Sequence, residues 1–309
     1  MSTGISTLPA PTERTSLLPQ IADFIALSKP KIVILELVAV LATLHIATRY
    51  GAAGTPWTAA LVASVMFGTA LVAASANTMN MWLERELDAQ MPRTAERPLP
   101  AGRITPAEAL AFGLLTLTAG VTMLAMHAGL LPSLIALGTW GIYVGCYTPL
   151  KPRSWINTAV GAVSGATPLW IGWTAGGGSL LDPLGIAIVA VMYVWQFPHF
   201  MAIAWLSRAG YAAAGHQMST VLDPSGRWAG FQAVVWSAVL LPMSLAPIVL
   251  STTIAPLWYG IPVTLAGLVM FASSQRFLTD CSDITARRLL RVTLLYVPVW
   301  LLALWVAGA

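Results

Sequence analysis

Long apolar stretches alternate with short polar connections along the whole chain. A bilayer core needs about 20 apolar residues as helix, and nine segments meet that length: 31–49, 57–79, 107–126, 129–147, 155–175, 183–206, 229–250, 254–273 and 289–307. Inside lipid the backbone N–H and C=O groups must be satisfied internally, so each run reads as an α-helix. The expected fold is all-α, a polytopic membrane protein with about nine transmembrane helices in a single domain, 26–309. Residues 1–25 are rich in Ser, Thr and Pro and lack the basic start and long apolar centre of a secretory signal. They read as a short disordered cytoplasmic tail.

Composition sharpens this picture. Hydrophobic residues make up 57% of the 309 and charged residues 9%, against about 25% charged in soluble domains. A soluble fold is excluded, and the net charge of +4 implies no nucleic-acid partner, because the basic residues follow the membrane topology. With the N-terminus in the cytoplasm, Arg14, Lys29, Lys31, Arg85, Arg93, Arg97, Arg103, Lys151, Arg153, Arg208, Arg227, Arg276, Arg287, Arg288 and Arg291 share one side, and only Arg49 lies on the other. The positive-inside rule then fixes the orientation and an odd number of spans. The long polar connections lie on the basic side, where chemistry is expected. Cys146 and Cys281, the only cysteines, show no metal-binding or disulfide spacing.

After the second apolar segment the sequence reads NTMNMWLERELDAQMPRTAERPLPAGRITP. Asn80, Glu84 and Asp88 are spaced i, i+4, i+8 and share one helix face. Such an oxygen-bearing stripe suits Mg²⁺, which takes one or two carboxylates together with substrate phosphates. Arg93, Arg97 and Arg103 follow, and Lys151 and Arg153 occupy the next basic-side connection. Guanidinium and ammonium groups bind phosphate oxygens, so the set fits a diphosphate leaving group. A solvated helix end balanced by Arg85 and the loop arginines accounts for the same spacing.

Two further polar groups interrupt apolar runs. In the sixth segment Gln196, Pro198 and His199 break the stretch VMYVWQFPHF, and Pro198 removes a helical hydrogen bond where a cavity or a neighbour must satisfy the freed carbonyl. His199 either faces that cavity or is a hydrogen-bonded packing residue. Glu36, two turns into the first segment, is expected to face the bundle interior. The small-residue pairs Gly141/Gly145 and Gly161/Gly165 suggest close helix contacts.

At these residues the sequence resembles the UbiA-type intramembrane prenyltransferases, and within them the haem-farnesylating branch. The resemblance rests on ALSKPKIVIL, NMWLERELDAQMPRTAERPLPAGRITP, YTPLKPRSWINTAVGAVSGATPLWIGW and WQFPHF. It implies that Asn80, Glu84 and Asp88 form the metal–diphosphate motif and act catalytically, with His199 matching the family's PHF histidine. Arg93, Arg97, Lys151, Arg153, Gln196 and Tyr211 then fall in substrate binding. It further implies Mg²⁺ as cofactor, farnesyl diphosphate and haem B as substrates, and water as source of the product hydroxyl. Membrane lipid surrounds such a protein, and a haem A synthase or a terminal oxidase is a candidate partner. The implied location is the bacterial cytoplasmic membrane, with the active site facing the cytoplasm and the C-terminus on the periplasmic side. One departure stands out: the family usually carries Asp before Tyr after the sixth span, and here Gly210 precedes Tyr211, with no acid between His199 and Asp223. The competing readings are prenyl transfer to a quinone precursor or other aromatic acceptor, and a transporter or non-catalytic haem-binding membrane protein.

Overall fold

The computed structural model describes residues 17–50, 55–252 and 254–307. The helices are α1 Leu17–Leu27, α2 Pro30–Tyr50, α3 Ala59–Asp88, α4 Pro106–His127, α5 Leu130–Gly141, α6 Thr148–Leu150, α7 Asn157–Ala166, α8 Pro168–Ala175, α9 Pro183–Leu206, α10 Arg208–Ala213, α11 Ser219–Leu222, α12 Arg227–Leu250, α13 Pro256–Thr279 and α14 Asp283–Ala307. A π-helical turn, Ile142–Tyr147, joins α5 to α6. The protein is a multi-pass, all-helical membrane protein, and eight described helices are long and apolar enough to cross a membrane.

The fifth expected segment, 155–175, is built in two halves, α7 and α8. Pro168 opens α8 and has no N–H for the Ser164 carbonyl, which instead accepts from the Thr167 hydroxyl at 3.5 Å. Thr139 in turn donates to that hydroxyl at 2.9 Å, so the gap is sealed from a neighbouring helix. Pro30, Pro106, Pro168, Pro183 and Pro256 each occupy a first helical position, where a missing N–H costs nothing. Thr105 and Glu108 form a reciprocal capping box at the start of α4.

The structure corrects the tail reading. Residues 1–16 lie outside the described residues, but Leu17–Leu27 is helical. Leu27 is fully buried, Phe24 packs on Phe112 of α4 at 5.1 Å, and Asp23 pairs with Arg103 at 3.0 Å. Leu18, Ile21 and Ile25 remain exposed. Packing of Phe24 on α4 and of Leu27 with Met81 of α3 explains why this segment orders.

Contacts between spans depend on small residues. A Cβ on Gly120 would lie 2.7 Å from the Gly68 carbonyl oxygen, and one on Gly172 would lie 2.2 Å from the Val40 carbonyl oxygen. These are the places where α4 meets α3 and α8 meets α2. Of the two pairs read from the sequence, Gly161 and Gly165 do sit at close contacts, against Tyr147 and Gln196. Gly141 and Gly145 face open space instead. Gly120→Ala is expected to destabilise the protein by about 1–3 kcal/mol through overpacking. Gly138→Ala, whose Cβ meets nothing within 4 Å, should leave stability unchanged or slightly raised. Thermal unfolding of both variants in detergent checks this.

Candidate active site at the basic end of the bundle

The last three turns of α3 carry the site. Asn80, Glu84 and Asp88 are 1%, 6% and 1% exposed, so the stripe read from the sequence points into the protein rather than to solvent. Carboxylates in such a place need counter-charges, and three segments supply them. Lys151, just after α6, places Nζ 2.7 Å from Glu84 Oε1. Arg97 in the α3–α4 loop donates Nη1 to Asp88 Oδ2 at 2.6 Å. Lys29, between α1 and α2, donates Nζ to Asn80 Oδ1 at 3.1 Å.

Local structure explains each placement. Lys29 has φ 49°, the one non-glycine residue described with a positive φ. This left-handed turn ahead of Pro30 is strained, and it brings the amine over the end of α3. The α3–α4 loop folds back because Thr94 donates its hydroxyl to the Asp88 carbonyl at 2.8 Å and because Leu99 and Ile104 pack with Leu27 and Met81. The π-helical turn before Pro149 widens the chain so that the Thr148 N–H reaches the Tyr143 carbonyl. Thr148 Oγ1 then accepts from Asn80 Nδ2 at 3.1 Å. Tyr147 lies under Lys151 Nζ, 4.6 Å from the ring centre.

The electrostatics outside the spans follow from crowding of like charges. Burial, with Arg97 and Lys151 nearby, pushes the Lys29 amine down to about 7. Burial also opposes the charge on Lys151, but Tyr147, Glu84 and Tyr143 together hold that amine above the usual lysine range. His216 is buried, with Nδ1 lacking a hydrogen-bond partner. Burial first, and then Lys151, pulls its imidazole below the ordinary histidine range.

Beneath this charged layer lies a cavity of about 280 Å³. Its wall is mainly apolar and aromatic, with Trp140, Tyr143, Tyr147 and Phe200 among the lining residues, and Glu36, Asn77 and Gln196 as polar members. Gln196 donates Nε2 to the Ala162 and Met192 carbonyls at 2.8 and 3.2 Å. Gly165 makes room for it.

Other expected residues fall elsewhere. His199 is not in the cavity wall. Its Nδ1 is 3.0 Å from Thr293 Oγ1 on α14 and its ring stacks on Trp195, the packing alternative. Arg93 and Arg153 are exposed, with no ion pair among the described residues. Tyr211 stands edge-on to His216 at 5.6 Å. A Cβ on Gly210 would meet Met91 at 3.8 Å, ordinary contact just beyond Asp88, so an acid at 210 would fit at the rim. Asp223 does not replace it. Its carboxylate accepts from the Ser225 hydroxyl, 2.6 Å, and from the Ser225 and Trp228 N–H groups, 3.1 and 2.7 Å. The Ser225 hydroxyl first, and then the Trp228 N–H, hold it below the ordinary carboxylate range. The sequence reading missed Lys29, Tyr143, Tyr147, Thr148 and His216 as site residues. The signal for Lys29 was its place in the SKPK segment ahead of the first span.

Removing one member of the Glu84–Lys151 pair leaves a buried charge unpartnered, and Lys151→Met is expected to cost about 3–5 kcal/mol. Lys151→Met combined with Glu84→Gln should recover much of that loss, a non-additive result. Unfolding of the two single variants and the double variant in detergent measures it.

Residues 38–297 match the model of the UbiA prenyltransferase family. A protoheme IX farnesyltransferase of Rhodopirellula baltica is 38% identical over 91% of this chain and 98% of its own length. That of Opitutus terrae is 35% identical over 97% of both. Among solved structures, a digeranylgeranylglyceryl phosphate synthase superposes with a TM-score of 0.73 at 17% identity, covering 94% of this chain and 99% of its own. A UbiA homologue from Archaeoglobus fulgidus, bound to GPP and Mg²⁺, superposes with a TM-score of 0.64 at 14% identity, covering 91% of this chain and 99% of its own. These structures share the fold. The chain belongs to the UbiA prenyltransferase family.

Proposed function

We propose that the protein transfers the farnesyl group of farnesyl diphosphate to a vinyl substituent of haem B, giving the hydroxyethylfarnesyl haem, haem O. The observation that carries this reading is near end-to-end similarity to protoheme IX farnesyltransferases, together with a buried oxygen stripe above an apolar chamber.

The residues present fit Mg²⁺. Asn80, Glu84 and Asp88 offer one neutral and two anionic oxygen donors in a buried row, and no described group of three His, Cys, Asp or Glu side chains makes a complete cage. That partial set suits a cation whose remaining ligands are phosphate oxygens and water. When bound there, Mg²⁺ would compensate the charge that grows on the departing diphosphate. Lys29, Arg97 and Lys151 surround the same place and add fixed positive charge where the leaving oxygens develop theirs. Arg93 and Arg153, both exposed, extend the basic surface toward an incoming diphosphate, and Tyr211 stands against His216. The chamber below takes the isoprenoid chain, with Gln196 a polar member of its wall. The packing of His199 against Thr293 supports a positioning role for α9 rather than contact with substrate.

Haems extracted from cells with and without the protein test the reading by mass spectrometry. Haem O is the expected product, whereas a prenylated quinone precursor or no new product refutes it. Glu84→Gln and Asp88→Asn should each leave insertion intact and lower turnover by orders of magnitude. Wild-type turnover at limiting Mg²⁺ would refute the site.

The proposed location is the bacterial cytoplasmic membrane with the site on the cytoplasmic face. The charge bias supports it. A reporter after Ala309 should then be periplasmic and one near Arg153 cytoplasmic, as protease accessibility would show.

A further inference from the structure

The apolar chamber has a readable depth, because α3 runs as one unbroken helix from Ala59 to Asp88. Thr69, Ala73, Ala76 and Asn77 line the chamber. With Asn80 they fall at i, i+4, i+7, i+8 and i+11, which is a single helix face. Asn80 belongs to the charged layer, and Asn77 is the first lining residue of α3 beneath it. The eight residues from Asn77 to Thr69 correspond to about 12 Å of helix. Three bonds of an extended chain span about 3.5 Å, so the carbon chain of geranyl spans about 8 Å, that of farnesyl about 13 Å and that of geranylgeranyl about 17 Å. A prenyl tail that enters below the charged layer therefore reaches the level of Thr69 with its third isoprene unit, and a fourth unit has to pass it.

Beyond Thr69 the space is closed. Ile171 of α8 and Ala136 of α5 line the chamber and also belong to a buried apolar cluster with Val40, Leu44 and Val65. Val65 lies one turn past Thr69 on α3, and it is fully buried, as are Leu44 and Ala136. The backbone beside this floor is pressed against its neighbours. A Cβ on Gly172, next to Ile171, would lie 2.2 Å from the Val40 carbonyl oxygen, and one on Gly68, next to Thr69, would lie 2.7 Å from Leu124 Cγ. Helices packed this closely have no slack with which to lengthen the chamber. We propose that this cluster is a ruler for the donor, stopping the tail at three isoprene units, and that Ile171 is the specificity-determining residue whose side chain ends the chamber. The inference rests on the prenyl-donor part of the proposed function and not on haem as the acceptor.

The test measures binding of geranyl, farnesyl and geranylgeranyl thiodiphosphates, whose bridging sulfur resists transfer, to the purified full-length protein in detergent with Mg²⁺. The unmodified protein is expected to bind the farnesyl compound at least ~10-fold more tightly than the geranylgeranyl one, the lower side of what misfit in an apolar pocket costs. Ile171→Ala removes the end of the chamber and should erase most of that preference, because a deleted core side chain leaves space that its surroundings only partly refill. Ala73→Leu fills the chamber one turn above Thr69 and should turn the preference from farnesyl to geranyl. Each comparison is a ratio between ligands on one protein, so a general loss of stability cancels, and Ile171→Val should move the ratio in the same direction as Ile171→Ala but less far. Unchanged ratios in Ile171→Ala and Ala73→Leu overturn the proposal, as does an unmodified protein with no length preference. If the ratios shift as expected while no prenylated haem forms in cells, the haem reading fails and the ruler stands. If none of the three compounds binds the unmodified protein, both fall.

Discussion

Two carboxylates on one helix face cannot be buried at the edge of a bilayer unless positive charge is brought to them, and the rest of this molecule is arranged around that requirement. Glu84 and Asp88 sit at the end of α3 almost out of reach of water. Lys151 and Arg97 answer them directly, and Lys29 completes the layer through Asn80. Each of the three comes from a different connection on the basic side, so these connections must fold over the bundle rather than extend into solvent. A strained turn at Lys29, a hydroxyl clasp at Thr94 and a π-helical turn before Pro149 are the local means by which they do so.

The charged layer closes an apolar chamber, and that pairing of phases suits a substrate with a diphosphate head and a hydrocarbon tail. Aromatic side chains make up much of the chamber wall. Tyr147 fits against Gly161 and Gln196 against Gly165, so the wall is shaped by where glycine allows a bulky side chain to lie. The Thr139–Thr167–Ser164 relay seals the backbone gap left by Pro168. A broken span therefore costs little, and it sits beside the chamber.

Much of this was legible in the sequence. Apolar run length gave the spans because lipid leaves the backbone little choice, and the spacing of Asn80, Glu84 and Asp88 gave their common face from helix geometry alone. That spacing did not decide between a solvated end and a buried site, since it says nothing of what covers the face. Lys29, Thr148 and His216 were missed because they reach the site through turns, and turn geometry leaves no periodic trace. His199 drew attention as a lone intramembrane histidine, yet its partner Thr293 is far along the chain and invisible to any local pattern. Asp223, the next acid along the chain after His199, is committed to the turn it closes.

The Glu84–Lys151 pair also constrains how the protein is made. Glu84 leaves the ribosome at the end of α3, whereas its counter-ion follows only after α4, α5 and the π-helical turn have been synthesised. Until that helical hairpin is in place, the carboxylate must keep its water or carry a proton. The site-bearing end of α3 is therefore among the last parts of the N-terminal half to be sealed, and completion of the site is tied to insertion of the hairpin that delivers Lys151.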